Sequence, residues 1–187
     1  MGSSAKVYRG VLVGDKVIVP SIEDSRELYA NGFYGRPMGS EKVKDPNSIS
    51  SPLVLSPLEA VYLVSRGLLE VVDERGNPVS ADELKRAIGF AERQEGLLKV
   101  YSDLRSMGLV VRSGLKYGAA FVAYRRGPGL EHAPFVIHYY EPNTLFDPVE
   151  LVRAGRLSHS VRKTFIVATL DPEGGRPHYI MLKWLRP

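Results

Sequence analysis

Residues 101–127 read YSDLRSMGLVVRSGLKYGAAFVAYRRG, and the texture changes in the middle of this run. Upstream of Gly108, Leu97, Tyr101 and Leu104 recur at helical spacing. Gly108 is placed to end that helix, because glycine takes left-handed backbone without a Cβ penalty. Downstream, LVVRSG (109–114) and GAAFVAY (118–124) are short apolar runs bounded by turn residues. Three more runs of the same kind follow: FVIHYY (135–140), TFIVATL (164–170) and HYIMLKWL (178–185). A helix beginning at Asp147 interrupts them. The second half of the chain therefore reads as a mixed β-sheet with helices on one side.

Working outward, KVYRGVLV (6–13) and KVIVP (16–20) flank Gly14-Asp15 and read as a hairpin. A short helix follows, with Ser21 as its N-cap and Asp24 three residues on. From Asn31 to Pro57, glycine, proline and serine recur every few residues, so no element runs far. Lys42 and Lys44 lie near the middle of that stretch. Ser56…Glu59, Ser80…Glu83 and Asp147…Glu150 each place a capping residue three before a glutamate, the pattern of a capping box. Val61, Val64 and Leu68 form an apolar stripe after the first cap. Leu84, Ala87, Ile88 and Ala91 form one after the second, which continues past Gly96 as a single helix to Gly108. The expected fold is α+β. A small N-terminal α/β domain (1–90) precedes a C-terminal domain (91–187) built on the mixed sheet.

Composition sets limits. The 187 residues include no cysteine, which removes disulfides, thiolate metal sites and cysteine nucleophiles together. No apolar run reaches the ~18 residues of a membrane span, and MGSSAK has no signal-like apolar stretch. A cytoplasmic protein with no membrane partner is the expectation. Lysine and arginine outnumber aspartate and glutamate by 25 to 21, a net charge of +4. That balance permits a nucleic-acid partner without requiring one.

Phosphate-binding glycine loops, H-E-x-x-H and G-x-S-x-G are all absent from the sequence. The histidines are His132, His138, His159 and His178, and none pairs with another at ligand spacing, so neither a metal nor a cofactor is expected. Attention falls instead on Tyr124 at the end of a strand run, His132 in the loop before the next one, and Lys163 at the mouth of TFIVATL. A phenol, an imidazole and an ammonium at neighbouring strand ends could meet one phosphate, with Arg125, Arg126, Arg156 and Arg162 supplying positive field. Each also has an ordinary reading. Tyrosine at a strand end is commonly a packing residue with a wet hydroxyl, and the histidine and lysine are commonly solvated.

The long run, together with Gly32-Phe33-Tyr34-Gly35, LSPLEAVYLVSRG (55–67) and Ser160-Val161-Arg162-Lys163, resembles the archaeal tRNA-splicing endonucleases over nearly the whole chain. The resemblance implies a nuclease domain at the C-terminus. It implies cleavage of precursor tRNA at a bulge–helix–bulge, without metal, leaving a 2′,3′-cyclic phosphate and a 5′-hydroxyl. It assigns Tyr124 as base or as orienter of the 2′-hydroxyl, His132 as general acid, and Lys163 as stabiliser of phosphoryl charge. An imidazole, with an ordinary pKa near ~6.5, suits the acid role; a phenol, near ~10, makes a demanding base unless cations lower it.

The same resemblance makes Arg156, seven residues before Lys163, one arm of a clamp on a bulged base, with Arg176 a weaker candidate for the other. A surface arginine meeting phosphates is the competing reading of Arg156. Lys42 and Lys44 resemble the basic insertion of crenarchaeal members and would contact RNA, or else belong to a solvated loop. Two cut sites require an oligomer. The tail HYIMLKWLRP (178–187) and the acidic loop LDPEGGRP (170–177), with Asp171 and Glu173, are the expected interface. A heterotetramer of two catalytic and two structural chains is favoured over a homotetramer. The alternative function is a non-catalytic structural or tRNA-binding subunit of the same complex.

Overall fold

The structure is a computed structural model and describes residues 6–39, 43, 45–160, 162–173 and 175–182, the side chains of 157–159 excepted. The chain divides into two compact units, residues 1–94 and 95–187. Among the described residues no helix is long and apolar enough to cross a membrane.

In the first unit, β1 (Tyr8–Val13) and β2 (Lys16–Val19) pair antiparallel around Gly14-Asp15. Helix α1 (Ile22–Gly32) starts where Ser21 Oγ accepts from the Asp24 N–H. The irregular stretch holds two short strands, β3 (Arg36–Pro37) and β4 (Leu53–Leu55), on either side of a 3-10 turn at Pro46–Ser48. Helix α2 (Pro57–Ser65) opens with the full capping box of Ser56 and Glu59. Glu59 does more than cap. It is buried, and its second oxygen accepts the Gly35 N–H at 3.1 Å, tying the base of the irregular stretch to the helix. Leu68, expected on the α2 stripe, lies beyond the helix, because Gly67 turns the chain through left-handed backbone (φ 65°). The next run, β5 (Leu69–Val72), is an addition to the expected elements; it pairs parallel with β1 and completes the sheet order β3-β4-β2-β1-β5.

The helix expected from Ser80 to Gly108 is two helices. Helix α3 (Ala81–Ala87), with its Ser80–Glu83 capping box, stops at Gly89 (φ 64°). There the Phe90 N–H reaches back to the Lys85 carbonyl in the six-residue closure of a glycine-ended helix. Helix α4 (Glu92–Ser106) then runs through Gly96 without a break. Gly96 is there for space. A Cβ at that position would overlap the Tyr139 hydroxyl oxygen. Gly108 (φ 81°) ends α4 as expected.

The second unit carries β6 (Val110–Ser113), β7 (Phe121–Tyr124), β8 (Phe135–Tyr139), α5 (Pro148–Ser160), β9 (Thr164–Leu170) and β10 (Pro177–Leu182). The sheet order is β10-β9-β8-β7-β6, antiparallel except for β8 and β9. A parallel neighbour needs a crossover, and α5 supplies it, packing on β9. Asp147 starts α5 by accepting the Val149 N–H rather than the one expected from Glu150, whose N–H goes to the Asp147 carbonyl. Phe165 to Ala168 are all buried, as in a central strand covered on both faces.

Most of YSDLRSMG is architecture. Asp103 accepts a 2.7 Å hydrogen bond from the Tyr179 hydroxyl on β10. Arg105 donates to the Tyr101 hydroxyl and to the Val111 carbonyl. These polar contacts bind α4 to both edge strands of the sheet.

Candidate active site at one end of the second sheet

Strand register decides which chain ends meet. Ala123 on β7 is opposite Phe135 on β8, and Phe135 is opposite Thr164 on β9. Tyr124 is therefore one step beyond this row, Lys163 one step before it, and His132 three residues ahead of Phe135. All three expected residues fall at the same end of three adjacent strands.

Side-chain contacts tighten this to one locus around Ala133. Lys163 Nζ donates to the Ala133 carbonyl at 2.5 Å, and the Thr164 N–H donates to the Pro134 carbonyl. Ala133, Val122 and Val136 form a buried cluster on which Tyr124 and Tyr117 pack. Lys163 Nζ also stands 5.2 Å from the centroid of the Tyr117 ring, within cation–π range. Tyr124 is half-buried, Lys163 half-buried, and His132 exposed. The phenol thus packs on the cluster that contains Ala133, the ammonium holds the Ala133 carbonyl, and the imidazole is on the residue just before it.

The residue before Lys163 has unusual backbone. Arg162 sits at φ 55°, a conformation that costs a non-glycine residue about 1–3 kcal/mol and tends to occur at functional positions. It turns the chain between α5 and β9, so that Lys163 enters at the mouth of the strand.

The loop before His132 is held from within. Gly127 (φ 126°) and Gly129 (φ 87°) make its turn. The Glu131 carboxylate accepts the Arg126 N–H at 2.5 Å. That bond, with further backbone bonds from Arg125 and Gly127 and the nearby Arg126 charge, holds the Glu131 carboxyl below the usual glutamate range against a smaller opposing desolvation. The Arg125 guanidinium lies 5.3 Å from the centroid of the Phe135 ring.

The remaining candidates are dispersed. Arg156 is exposed on α5. Arg176 is exposed, and its backbone N–H donates to Asp171. Asp171 turns its carboxylate onto its own loop, accepting from the Gly175 and Arg176 N–H groups at 2.6 and 3.2 Å. Those two bonds, the Gly175 one foremost, hold its carboxyl below the ordinary aspartate range. Glu173 is exposed in the same loop. Lys42 and Lys44, the Val161 of the Ser-Val-Arg-Lys motif, and residues 183–187 of the tail lie outside the described residues. His138 faces the edge of Phe165, with ring centroids 4.9 Å apart, and burial lowers its pKa; it is a packing residue. Among the described residues no three His, Asp or Glu side chains converge as metal ligands do.

Sequence reasoning passes over Tyr117 and Glu131. Both stand in conspicuous runs, Tyr117 in GLKYG and Glu131 beside His132, but a carbonyl clasped by a lysine has no signature in sequence.

Comparison with known proteins covers both units. The family model described as tRNA intron endonuclease, N-terminal domain, matches residues 8–85, and that described as tRNA intron endonuclease, catalytic C-terminal domain, matches residues 95–177. A tRNA-splicing endonuclease of Hyperthermus butylicus is 51% identical over 182 residues, covering 97% of this chain and 100% of the relative. One from Saccharolobus solfataricus is 46% identical, covering 96% and 100%. One from Saccharolobus islandicus is 42% identical, with the same coverage.

Proposed function

We propose that this chain, which belongs to the tRNA intron endonuclease family, cuts precursor tRNA at bulge–helix–bulge sites through Tyr124, His132 and Lys163, without a metal. By family it is an endoribonuclease of tRNA splicing; the substrate shape and the mechanism are the proposal. The observation that supports it is the single locus around Ala133: Lys163 grips the Ala133 carbonyl, Tyr124 packs on the Val122–Ala133–Val136 cluster, and His132 precedes Ala133 in the chain.

Cleavage by the neighbouring 2′-hydroxyl needs three services. The hydroxyl loses a proton while its oxygen bonds to phosphorus. The bond from phosphorus to the 5′-oxygen breaks. The departing 5′-oxygen gains a proton. Tyr124 accepts the first proton or orients the hydroxyl, and His132, as imidazolium, gives the second. An ammonium has three donors. One on Lys163 is engaged by the Ala133 carbonyl, and the others serve phosphoryl oxygens whose charge grows in the transition state. The products are a 2′,3′-cyclic phosphate and a 5′-hydroxyl.

Arg156 and Arg176 are proposed to grip bulged bases, which are unstacked and open to planar cations. Lys42 and Lys44 are proposed to meet RNA near the cut. Glu173, with Asp171 shaping its loop, is proposed to reach a neighbouring subunit in a heterotetramer with structural chains. The test is incubation with a bulge–helix–bulge RNA, alone and with a structural subunit, in excess chelator, followed by analysis of the product ends. Tyr124→Phe, His132→Ala and Lys163→Ala each retain RNA binding and lose about 10²-fold or more of cleavage. Full turnover by His132→Ala, or loss of wild-type activity in chelator, overturns the reading.

A further inference from the structure

His132 is exposed, so surrounding packing does little to fix an imidazole that must meet a leaving oxygen. Its chain neighbours are fixed instead, one on each side. Ala133 is buried, and its carbonyl is held by Lys163 Nζ. Glu131 is held twice. Its carboxylate takes the Arg126 N–H at 2.5 Å, and its own N–H donates to the Gly127 carbonyl at 3.3 Å. Pro128 and Glu131 also form an isolated bridge across the turn. The carboxylate closes the loop at the residue that precedes the acid.

We infer that Glu131 is a positioning residue for His132, clamping the Arg125–Gly127 backbone so that the imidazole is presented at the leaving 5′-oxygen. The inference rests on the proposed role of His132 and adds a specific dependence to it. The cationic side chains of the loop do not form this clamp. Arg125 lies over Phe135, and it is the Arg126 N–H, not its guanidinium, that meets the carboxylate at hydrogen-bond distance. A carboxylate held below the ordinary glutamate range stays charged, and so keeps its grip, at pH values where an imidazole is protonated.

A clamp on the acid differs from a general prop in which substrate feels its loss. When the scissile 5′-oxygen is replaced by sulfur, the departing thiolate leaves without a proton, and a general acid has nothing to do. The experiment measures single-turnover cleavage of bulge–helix–bulge RNA with a 5′-oxygen or a 5′-sulfur at the cut, by the assembly that cuts the unmodified RNA. Glu131→Ala is expected to slow the oxygen substrate by about 10–100-fold, the scale of an Ångström-sized misplacement, with RNA affinity unchanged. The sulfur substrate should be cut at close to the wild-type rate. Glu131→Gln, which keeps an acceptor of the same length, should restore part of the oxygen rate and covers the case in which the alanine variant folds poorly. Equal loss on both substrates, or no loss on either, overturns the inference. His132→Ala separates this from the underlying reading. If His132→Ala cuts the oxygen substrate normally, the role of His132 itself is wrong. If it is impaired and sulfur-rescued while Glu131 variants are not, only the clamp is wrong.

Discussion

Replacing Lys163 by methionine keeps an unbranched stem as far as Cε and removes the ammonium, and two losses of different size should follow. The first is structural. Nζ donates to the Ala133 carbonyl at 2.5 Å and stands 5.2 Å from the Tyr117 ring centroid. A hydrogen bond with a charged donor contributes about 1.5–3 kcal/mol, and an exposed cation–π contact about 0.5–1. Lys163 is half-buried, so water recovers part of both, leaving a destabilisation of about 1–2 kcal/mol. The second loss is catalytic. Removing a donor aimed at developing oxyanion charge costs about 10²–10³ in rate, or about 2.7–4 kcal/mol of barrier. The two are separable. Denaturant unfolding of Lys163→Met reads the first, and single-turnover cleavage well below the unfolding transition, with enzyme in excess over RNA, reads the second. Lys163→Arg keeps charge and ring contact but changes the donor geometry, and should recover stability more fully than rate. A Lys163→Met rate within about threefold of wild type, alongside the expected stability loss, would show that this lysine only ties the loop to β9, and would refute its charge role.

Two further predictions concern the scaffold. Gly96→Ala should gain up to about 1 kcal/mol of helix propensity yet lose more through overpacking, typically about 1–3 kcal/mol, because the new methyl meets the buried Tyr139 ring. Adding Tyr139→Phe removes the nearest clashing atom and should recover part of the loss in denaturant unfolding; a Gly96→Ala protein as stable as wild type contradicts the tight approach. Tyr179 predicts a pH effect. Burial first, then its bond to Asp103, pushes the phenol well above its ordinary value. Below pH ~10 it is protonated whether the chain is folded or not; above that, the unfolded chain releases the proton while the folded one keeps it, so stability falls as pH rises. Tyr179→Phe should be less stable at neutral pH and show a shallower alkaline decline, and identical slopes for the two proteins would remove Tyr179 as the cause.

What the sequence disclosed was mostly local. The Ser56–Glu59 and Ser80–Glu83 boxes lie within four residues of chain, and both form. The five strand runs after Gly108 announced themselves by short apolar length and turn residues. The break at Gly89 stayed hidden because Ile88 and Ala91 continue the helical stripe, and only the left-handed backbone of the glycine interrupts it. The helix does run past Gly96 as its stripe implies, but nothing local shows why that residue is a glycine: it is a socket for the Tyr139 ring, which comes from β8. The tie between Asp103 and Tyr179 joins residues 76 apart, a distance no periodicity reports. At the site, Tyr124, His132 and Lys163 stand out by residue type and resemblance, whereas the apolar cluster of Val122, Ala133 and Val136 under Tyr124 and the Ala133 carbonyl that Lys163 holds come from separate parts of the chain that only the folded sheet brings together.

The most direct test of the central claim, cleavage by the substrate's own 2′-hydroxyl without metal, is a single-atom change in the RNA. A bulge–helix–bulge substrate carrying one 2′-deoxy nucleotide immediately 5′ of one cut, incubated in excess chelator, should remain whole at that site. The unmodified second site should still be cut, leaving a cyclic phosphate. Cleavage at the deoxy position would mean that another nucleophile attacks the phosphorus, and would contradict the account.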